Sequence, residues 1–270
     1  MAEDAAEVLS QTWGFLSSDP IQSNLVLRLL AERAQHPEPG RYWWVTVGDE
    51  VAGVAVQSPL NLHAAITPIR TEAVATLVEA TVRSAPDLPG VFGIASTASH
   101  FAGCWGERTK AAVAAVETQR LYRLGTLRPP PRVPGRLRVA AEPEGGRVFA
   151  WLRAFEEETG GFVVPPEAIK RRIKDGLVYI WHDDTPVSMA SLTPISGGIS
   201  AVVLVYTPPE HRGHGYGAAC TAAVSQIALD AGAAHCVLFA ELSNPQSNAI
   251  YRALGYERAG EHIRYRFDGR

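Results

Sequence analysis

The sequence predicts an α/β (α+β) chain of two domains, each a mixed, mostly antiparallel sheet flanked by helices. Three observations carry that prediction. Strand-like and helix-like segments run twice in one order: helices, hairpin, strand, helix, strand, helix, strand. Between the two series stands Pro129-Pro130-Pro131-Arg132-Val133-Pro134-Gly135, which fits neither a packed helix nor a central strand. In the second series the apolar run Val202-Val203-Leu204-Val205-Tyr206 passes through a Gly-rich loop into an Ala-rich stretch. The expected partition is residues 1–128, a linker at 129–135, and residues 136–270.

Residues 5–34 read as helical, with a break at Ser17-Ser18-Asp19-Pro20. Leu25, Leu27, Leu29 and Leu30 give the second piece an apolar face. Tyr42 to Val47, a Gly48-Asp49-Glu50 turn and Val51 to Val56 read as a hairpin. Strands are expected at Leu62–Ile66, Val91–Ala95 and Arg120–Leu127, and helices at Thr71–Arg83 and Phe101–Glu117. After the linker, Leu137–Ala140 is a strand and Arg147–Glu158 a helix. Pro165–Lys174 is a helix with its prolines near the start. Leu177–His182 and Val187–Leu192 form a hairpin about Asp183-Asp184-Thr185-Pro186. Beyond Tyr206, Pro208 and Pro209 stop the strand, and Ala218–Ala231 forms a helix ended by Gly232. Strand Cys236–Leu242, helix Pro245–Leu254 and strand His262–Phe267 complete the series.

Bulk properties exclude several classes. An apolar share of 46% supplies packed cores, and a net charge of −3 leaves no basic footprint for nucleic acid. Three scattered cysteines, Cys104, Cys220 and Cys236, suit neither a disulfide framework nor a metal cluster. They read as reduced, buried thiols of a reducing compartment. The start Met-Ala-Glu-Asp-Ala-Ala-Glu lacks the features of a leader, and no apolar run reaches membrane-spanning length. A cytoplasmic protein without nucleic-acid or membrane partners, a monomer or homodimer, is expected.

Thr207 to Gly217 carries the chemistry. A Gly-rich loop opening a helix presents unpaired N–H groups in one direction and suits phosphate. Gly213, Gly215 and Ala218 formally fit the dinucleotide fingerprint, with Glu241 in the place of its ribose-binding acid. Yet Thr207 to Arg212 intervene between strand and helix, and too little chain follows for a doubly wound sheet. The other match is Arg-x-x-Gly-x-Gly at Arg212, Gly215 and Gly217. The stretch Thr-Pro-Pro-Glu-His-Arg-Gly-His-Gly-Tyr-Gly resembles the coenzyme A pyrophosphate loop of the GNAT N-acetyltransferase superfamily. A second stretch, Phe239 to Tyr256 with its Ser-Asn-Pro turn and Tyr-x-x-x-Gly-Tyr ending, resembles the same superfamily at the proper distance.

The resemblance covers residues 136–270 well and implies an acetyl-CoA-dependent N-acetyltransferase, without metal, acting on a small-molecule or peptide amine. It implies cofactor contacts from Val205, Tyr206, Thr207, Arg212, Gly213, His214, Gly215, Tyr216, Gly217, Asn244 and Ser247. Asn248 has a weaker claim. It makes Tyr251 the acid that protonates the leaving thiolate, and Tyr251 stands two helical turns beyond Asn244. Thr207 stands where the family more often has an apolar β-branched residue. The first series lacks the glycine loop and reads as a degenerate, cofactor-free copy, or as an unrelated α+β domain.

The acceptor amine must lose a proton. A Lys-like amine is neutral about once in a thousand near pH 7, a cost of about 4 kcal/mol. Glu241, closing the strand beside the reacting centre, is the first candidate base; Glu210 and the triplet Glu156-Glu157-Glu158 read as solvated. A mycothiol-synthase-like acetyltransferase and a non-catalytic acyl-CoA-binding regulatory module stand as alternatives.

Overall fold

The computed structural model describes residues 4–159 and 165–268. Its contacts divide the chain into two units. The first runs up to Leu121 and also takes Phe239–Asn244 and the chain from Arg258 on. The second comprises Tyr122–Leu238 and Pro245–Glu257. Chain order and packing therefore differ. The prolines at 129–131 lie inside the second unit, and pieces from the far end of the chain complete the first.

The first unit opens with α1 (Ala5–Ser18) and α2 (Pro20–Gln35). Asp4 caps α1 by accepting from the Ala6 N–H at 2.8 Å, and Asp19 caps α2 ahead of Pro20. The hairpin β1 (Arg41–Val47) and β2 (Glu50–Gln57) turns through Gly48 at φ 60°. Then come β3 (Ala64–Ile66), α3 (Thr71–Ser84), β4 (Gly90–Ile94) and α4 (Ala95–Thr109). β5 (Ala112–Leu124) begins in this unit. The helix expected over Phe101–Glu117 ends early: Lys110 takes the left-handed conformation, and Ala112-Val113-Ala114-Ala115-Val116 is strand.

The last strand of the chain, β11 (Tyr256–Asp268), pairs antiparallel with β4, from His262↔Ile94 to Arg266↔Gly90. Within this unit the order is β1-β2-β3-β4-β11-β5. One sheet face packs Trp43, Val91 and Phe267 against Leu77 of α3 and Phe101 and Trp105 of α4. The other packs Tyr42, Val54 and Val56 on Leu16, Leu27 and Leu30 of α1 and α2.

The second unit contains β6 (Arg136–Val139), α5 (Gly145–Thr159), α6 (Pro166–Lys174), β7 (Val178–Asp183) and β8 (Thr185–Leu192). β9 (Ile199–Tyr206), α7 (Tyr216–Asp230), the start of β10 (His235–Glu241) and α8 (Pro245–Ala253) follow. The order is β6-β7-β8-β9-β10, antiparallel except for the parallel β9–β10 pair. Val148 and Leu152 of α5, Ile169 and Ile173 of α6, and Ile180, Met189 and Tyr206 of the sheet form its core.

Candidate functional site

The site grows from the end of β9. Met189↔Tyr206 and Ser191↔Val203 leave one extra residue on β9, a bulge, and Leu204 within it has φ 56°. Such a bulge turns a peptide plane off the ladder and frees backbone groups for something else. On the other side the β9–β10 register runs from His235↔Ile199 only to Val237↔Ala201, so Val202–Tyr206 lies beyond it. Val205 and Tyr206 thus sit just past the bulge, where the strand's backbone is least committed.

Thr207 follows, and its hydroxyl shares a hydrogen bond with Ser188 Oγ at 2.9 Å. Ser188 is buried and also donates to the Tyr206 carbonyl at 3.0 Å. A hydroxyl at position 207 is therefore used, where an apolar residue would leave Ser188 with one partner fewer. A Cβ on Gly217 would lie 3.1 Å from Thr207 Oγ1, so the first turn of α7 approaches Thr207 as closely as a glycine permits.

Pro209–His211 forms a single 3-10 turn, and the loop then reaches α7 through Gly213 at φ 84° and Gly215 at φ 82°. Both angles favour glycine. The first helical bond of α7 runs from the Ala219 N–H to the Gly215 carbonyl, so the amides before it have no partner within the helix. Gly213, His214 and Gly215 are exposed. This is a cradle of N–H groups at a helix N-terminus, with the positive end of the dipole behind it, and it fits a pyrophosphate. Tyr216 donates to Asp183 Oδ2 at 2.6 Å, which pushes the phenol pKa up, and its ring lies 5.6 Å from that of His214.

Arg212 is committed elsewhere than the sequence suggests. Its Nη2 donates to both Glu158 oxygens, at 2.8 and 2.6 Å, and its Nε donates to the Thr207 carbonyl at 2.9 Å. The Tyr206 hydroxyl also donates to Glu158, at 3.1 Å. Glu158, read from sequence as part of a solvated triplet, is half-exposed but held by two side chains. Burial first, and the Glu158 carboxylate second, raise the Tyr206 pKa and keep that phenol neutral.

On α8, Tyr251 is buried, with its ring 6.3 Å from Tyr122 and 6.1 Å from Tyr256. Burial pushes its pKa up to about 12, and its hydroxyl has no hydrogen-bond partner among the described residues. Its phenol is therefore neutral rather than a phenolate. Asn248, one helical turn away, is buried and accepts from the Tyr122 hydroxyl at 2.8 Å. Ser247 is half-buried on the same helix.

Glu241 and Asn244 fall in the first unit, while the loop, Ser247 and Tyr251 belong to the second. Glu241 closes β10, half-buried, and accepts from Ser243 Oγ at 3.4 Å; Asn244 is exposed and its N–H donates to the Glu241 carbonyl at 3.2 Å. Leu204, Ser188, Tyr122 and Glu158 are the residues that sequence reasoning missed. Among the described residues no group of acids, histidines and cysteines could hold a metal, and no helix is long and apolar enough to cross a membrane. Cys220 and Cys236 are buried with thiol pKa values pushed up by burial, Cys220 to about 12, which makes them poor nucleophiles. Cys104, expected to be buried, is partly exposed.

Comparison with known proteins agrees with this geometry. Residues 144–256 match the acetyltransferase (GNAT) family. A search of curated proteins finds no match. Among solved structures, the chain is similar to a GCN5-related N-acetyltransferase from Kribbella flavida, with 20% identity, TM-score 0.65, and 93% of this chain and 96% of that one covered. It is similar to a GCN5-related N-acetyltransferase from Sphaerobacter thermophilus, with 17% identity, TM-score 0.63, and coverage of 88% and 84%. A tandem GNAT protein from the clavulanic acid biosynthesis pathway matches with 13% identity, TM-score 0.53, and coverage of 90% and 88%. At these identities the likeness concerns the fold.

Proposed function

We propose, from the match of residues 144–256 to the acetyltransferase (GNAT) family, that the chain is an acetyl-CoA-dependent N-acetyltransferase that transfers acetyl directly to an amine. The observation that carries this reading is the bulged end of β9 leading into the glycine loop and the N-terminus of α7. Acetyl-CoA supplies an activated acyl thioester and a pyrophosphate handle. The amides from Gly213 to Ala218 would hold the pyrophosphate, and the backbone past the bulge, Val205 to Thr207, would hold the amide-bearing arm. A backbone N–H there, aimed at a developing oxyanion, is typically worth about 3 kcal/mol in a dry site.

Tyr251 is the proton donor. Its neutral, buried phenol without a partner is poised to give a proton to a thiolate. Glu241 is the acceptor-side base in this reading, and Asn244 a cofactor contact. The first half of the chain is proposed to be a degenerate copy of the same fold without a cofactor site; the repeated order of hairpin, strand, helix, strand, helix, strand supports it.

Two measurements test the reading. Coenzyme A raises the melting temperature of the wild type, as a ligand of the native state does. A bulky residue in place of Gly215, whose Cβ would already lie 3.2 Å from Val133, removes most of that rise. Free-thiol release from acetyl-CoA across a panel of amines then reads turnover. A variant stabilised as fully as the wild type places the cofactor elsewhere.

A further inference from the structure

The end of α5 gathers a carboxylate and two aromatic rings to which the acetyl-transfer reading gives no role. Trp151, Phe155 and Glu158 follow one another at helical spacing on a single face. All three meet Tyr206. The Trp151 and Phe155 rings lie 6.5 and 6.4 Å from the Tyr206 ring, the latter edge-on, and Glu158 accepts from the Tyr206 hydroxyl. A carboxylate flanked by aromatic faces recognises organic cations. One is already seated there. The Arg212 guanidinium is 2.6 Å from Glu158 and 5.8 Å from the centre of the Tyr206 ring.

We propose that Glu158, with Tyr206, Trp151 and Phe155, is the recognition site for a cationic group of the acceptor, and that Arg212 occupies it until phosphate at the adjoining loop draws the guanidinium away. Arg212 is the residue next to Gly213, so its side chain, now on Glu158, is within reach of either anion. A pyrophosphate in the amide cradle offers it a stronger partner than one half-exposed carboxylate. The carboxylate so released takes an ammonium ion in its place.

The seated cation is not the reacting nitrogen. A carboxylate favours the charged form of an ammonium, whereas the nucleophile must shed its proton. The acceptor class is therefore one with two cationic groups, one held at Glu158 and one acetylated. The release of Arg212 rests on the proposed cofactor reading; the site on α5 does not.

Calorimetry of the full chain with pentane-1,5-diamine as probe, and neutral pentane-1,5-diol as its twin, tests the proposal. Coupling of ordinary size makes the diamine bind about tenfold tighter with coenzyme A than without, and coenzyme A tighter by the same factor with the diamine. Glu158→Gln abolishes that gain yet binds coenzyme A at least as tightly as the wild type, because Arg212 loses its competing partner. A merely structural Glu158 would not do this. Arg212→Leu binds the diamine without coenzyme A as well as the wild type does with it, and adding Glu158→Gln to that variant removes the binding. The diol shows none of these effects. Equal diamine affinity in Arg212→Leu and in its Glu158→Gln double variant overturns the site. Equal affinity with and without bound coenzyme A in the wild type overturns the displacement. Should coenzyme A fail to bind at all, the cofactor reading falls, and the two Arg212→Leu proteins still decide the cation site. Arg212→Gln replaces Arg212→Leu if the latter misfolds.

Discussion

Single residues at the site divide into those whose role is written in their type and those whose role comes from a partner. Gly213, Gly215 and Gly217 are of the first kind, because left-handed φ values and a 3.1 Å approach leave little else. Tyr251 belongs with them, two turns into a helix whose pattern is legible. Glu158 is of the second kind. Its partner is 54 positions away, and nothing in three successive glutamates singles out the last. Leu204 is another: a leucine at positive φ follows from the bulge, not from its own chemistry. Two outcomes follow at this scale. Tyr251→Phe keeps the ring between Tyr122 and Tyr256, so coenzyme A binding is unchanged while turnover falls about 100-fold, the usual loss on removing a general acid. Turnover at the wild-type rate would remove Tyr251 from the mechanism. Leu204→Gly relieves the left-handed strain and leaves the bulge in place, whereas Leu204→Val, β-branched at positive φ, lowers stability by about 1–2 kcal/mol in a denaturant melt.

Among the elements, those with strong punctuation were legible: the capped α1 and α2, the Gly48 hairpin, and the strand-loop-helix from Ile199 to Asp230. The error at residues 110–117 has a physical cause. Residues 111–116 are all alanine or valine, without a breaker, and what makes them strand is pairing along β11, whose residues are distant in sequence. Local propensity cannot report a partner that far away. The α5 entrance was half legible, since its glycines were visible but its ion pair was not. Arg138 on β6 holds Glu144 through two hydrogen bonds of 2.5 and 2.6 Å, and the Ala141 N–H donates to the same carboxylate at 3.0 Å. Arg138 is the main cause that lowers the Glu144 pKa to about 2 from an ordinary 4.5. The folded value is below the unfolded one, so this pair stabilises fully above pH 4.5 and its contribution is lost as pH falls toward 2. Glu144→Gln is expected to cost about 1–2 kcal/mol at pH 7, held down because the pair is partly wet. The difference from wild type should vanish near pH 2 in parallel denaturant melts; a constant gap across that range would mean that packing, not charge, supports α5.

For the molecule as a whole, two imidazoles, the buried His262 and the half-buried His63, make stability depend on mild acid. Burial holds His262 near pKa 4, and burial with the Arg264 charge holds His63 there too. Unfolding returns both to about 6.5. Their contribution is complete above pH 6.5 and is lost as pH falls through 4, up to about 3 kcal/mol for a fully buried imidazole. The melting temperature is expected to drop across that window, and His262→Phe, which keeps the ring between Phe92 and Phe239, should flatten the drop. An unaltered profile would assign the acid sensitivity to other groups. The two series of elements were legible in the sequence; that β11 pairs with β4 was not, because a repeat says what each half contains and not which strand completes it. A chain of residues 1–128 lacks that strand and leaves the β4 edge bare. It should show no cooperative melt by circular dichroism, and a sharp one would make β11 dispensable. The same pairing imposes a schedule on synthesis. Ile94 and His262 are about 170 residues apart, so at ribosomal speed β4 waits on the order of ten seconds for its neighbour to be made. Throughout that interval the nascent chain carries an open, apolar sheet edge, and the time at which the first unit can close is set by the emergence of β11.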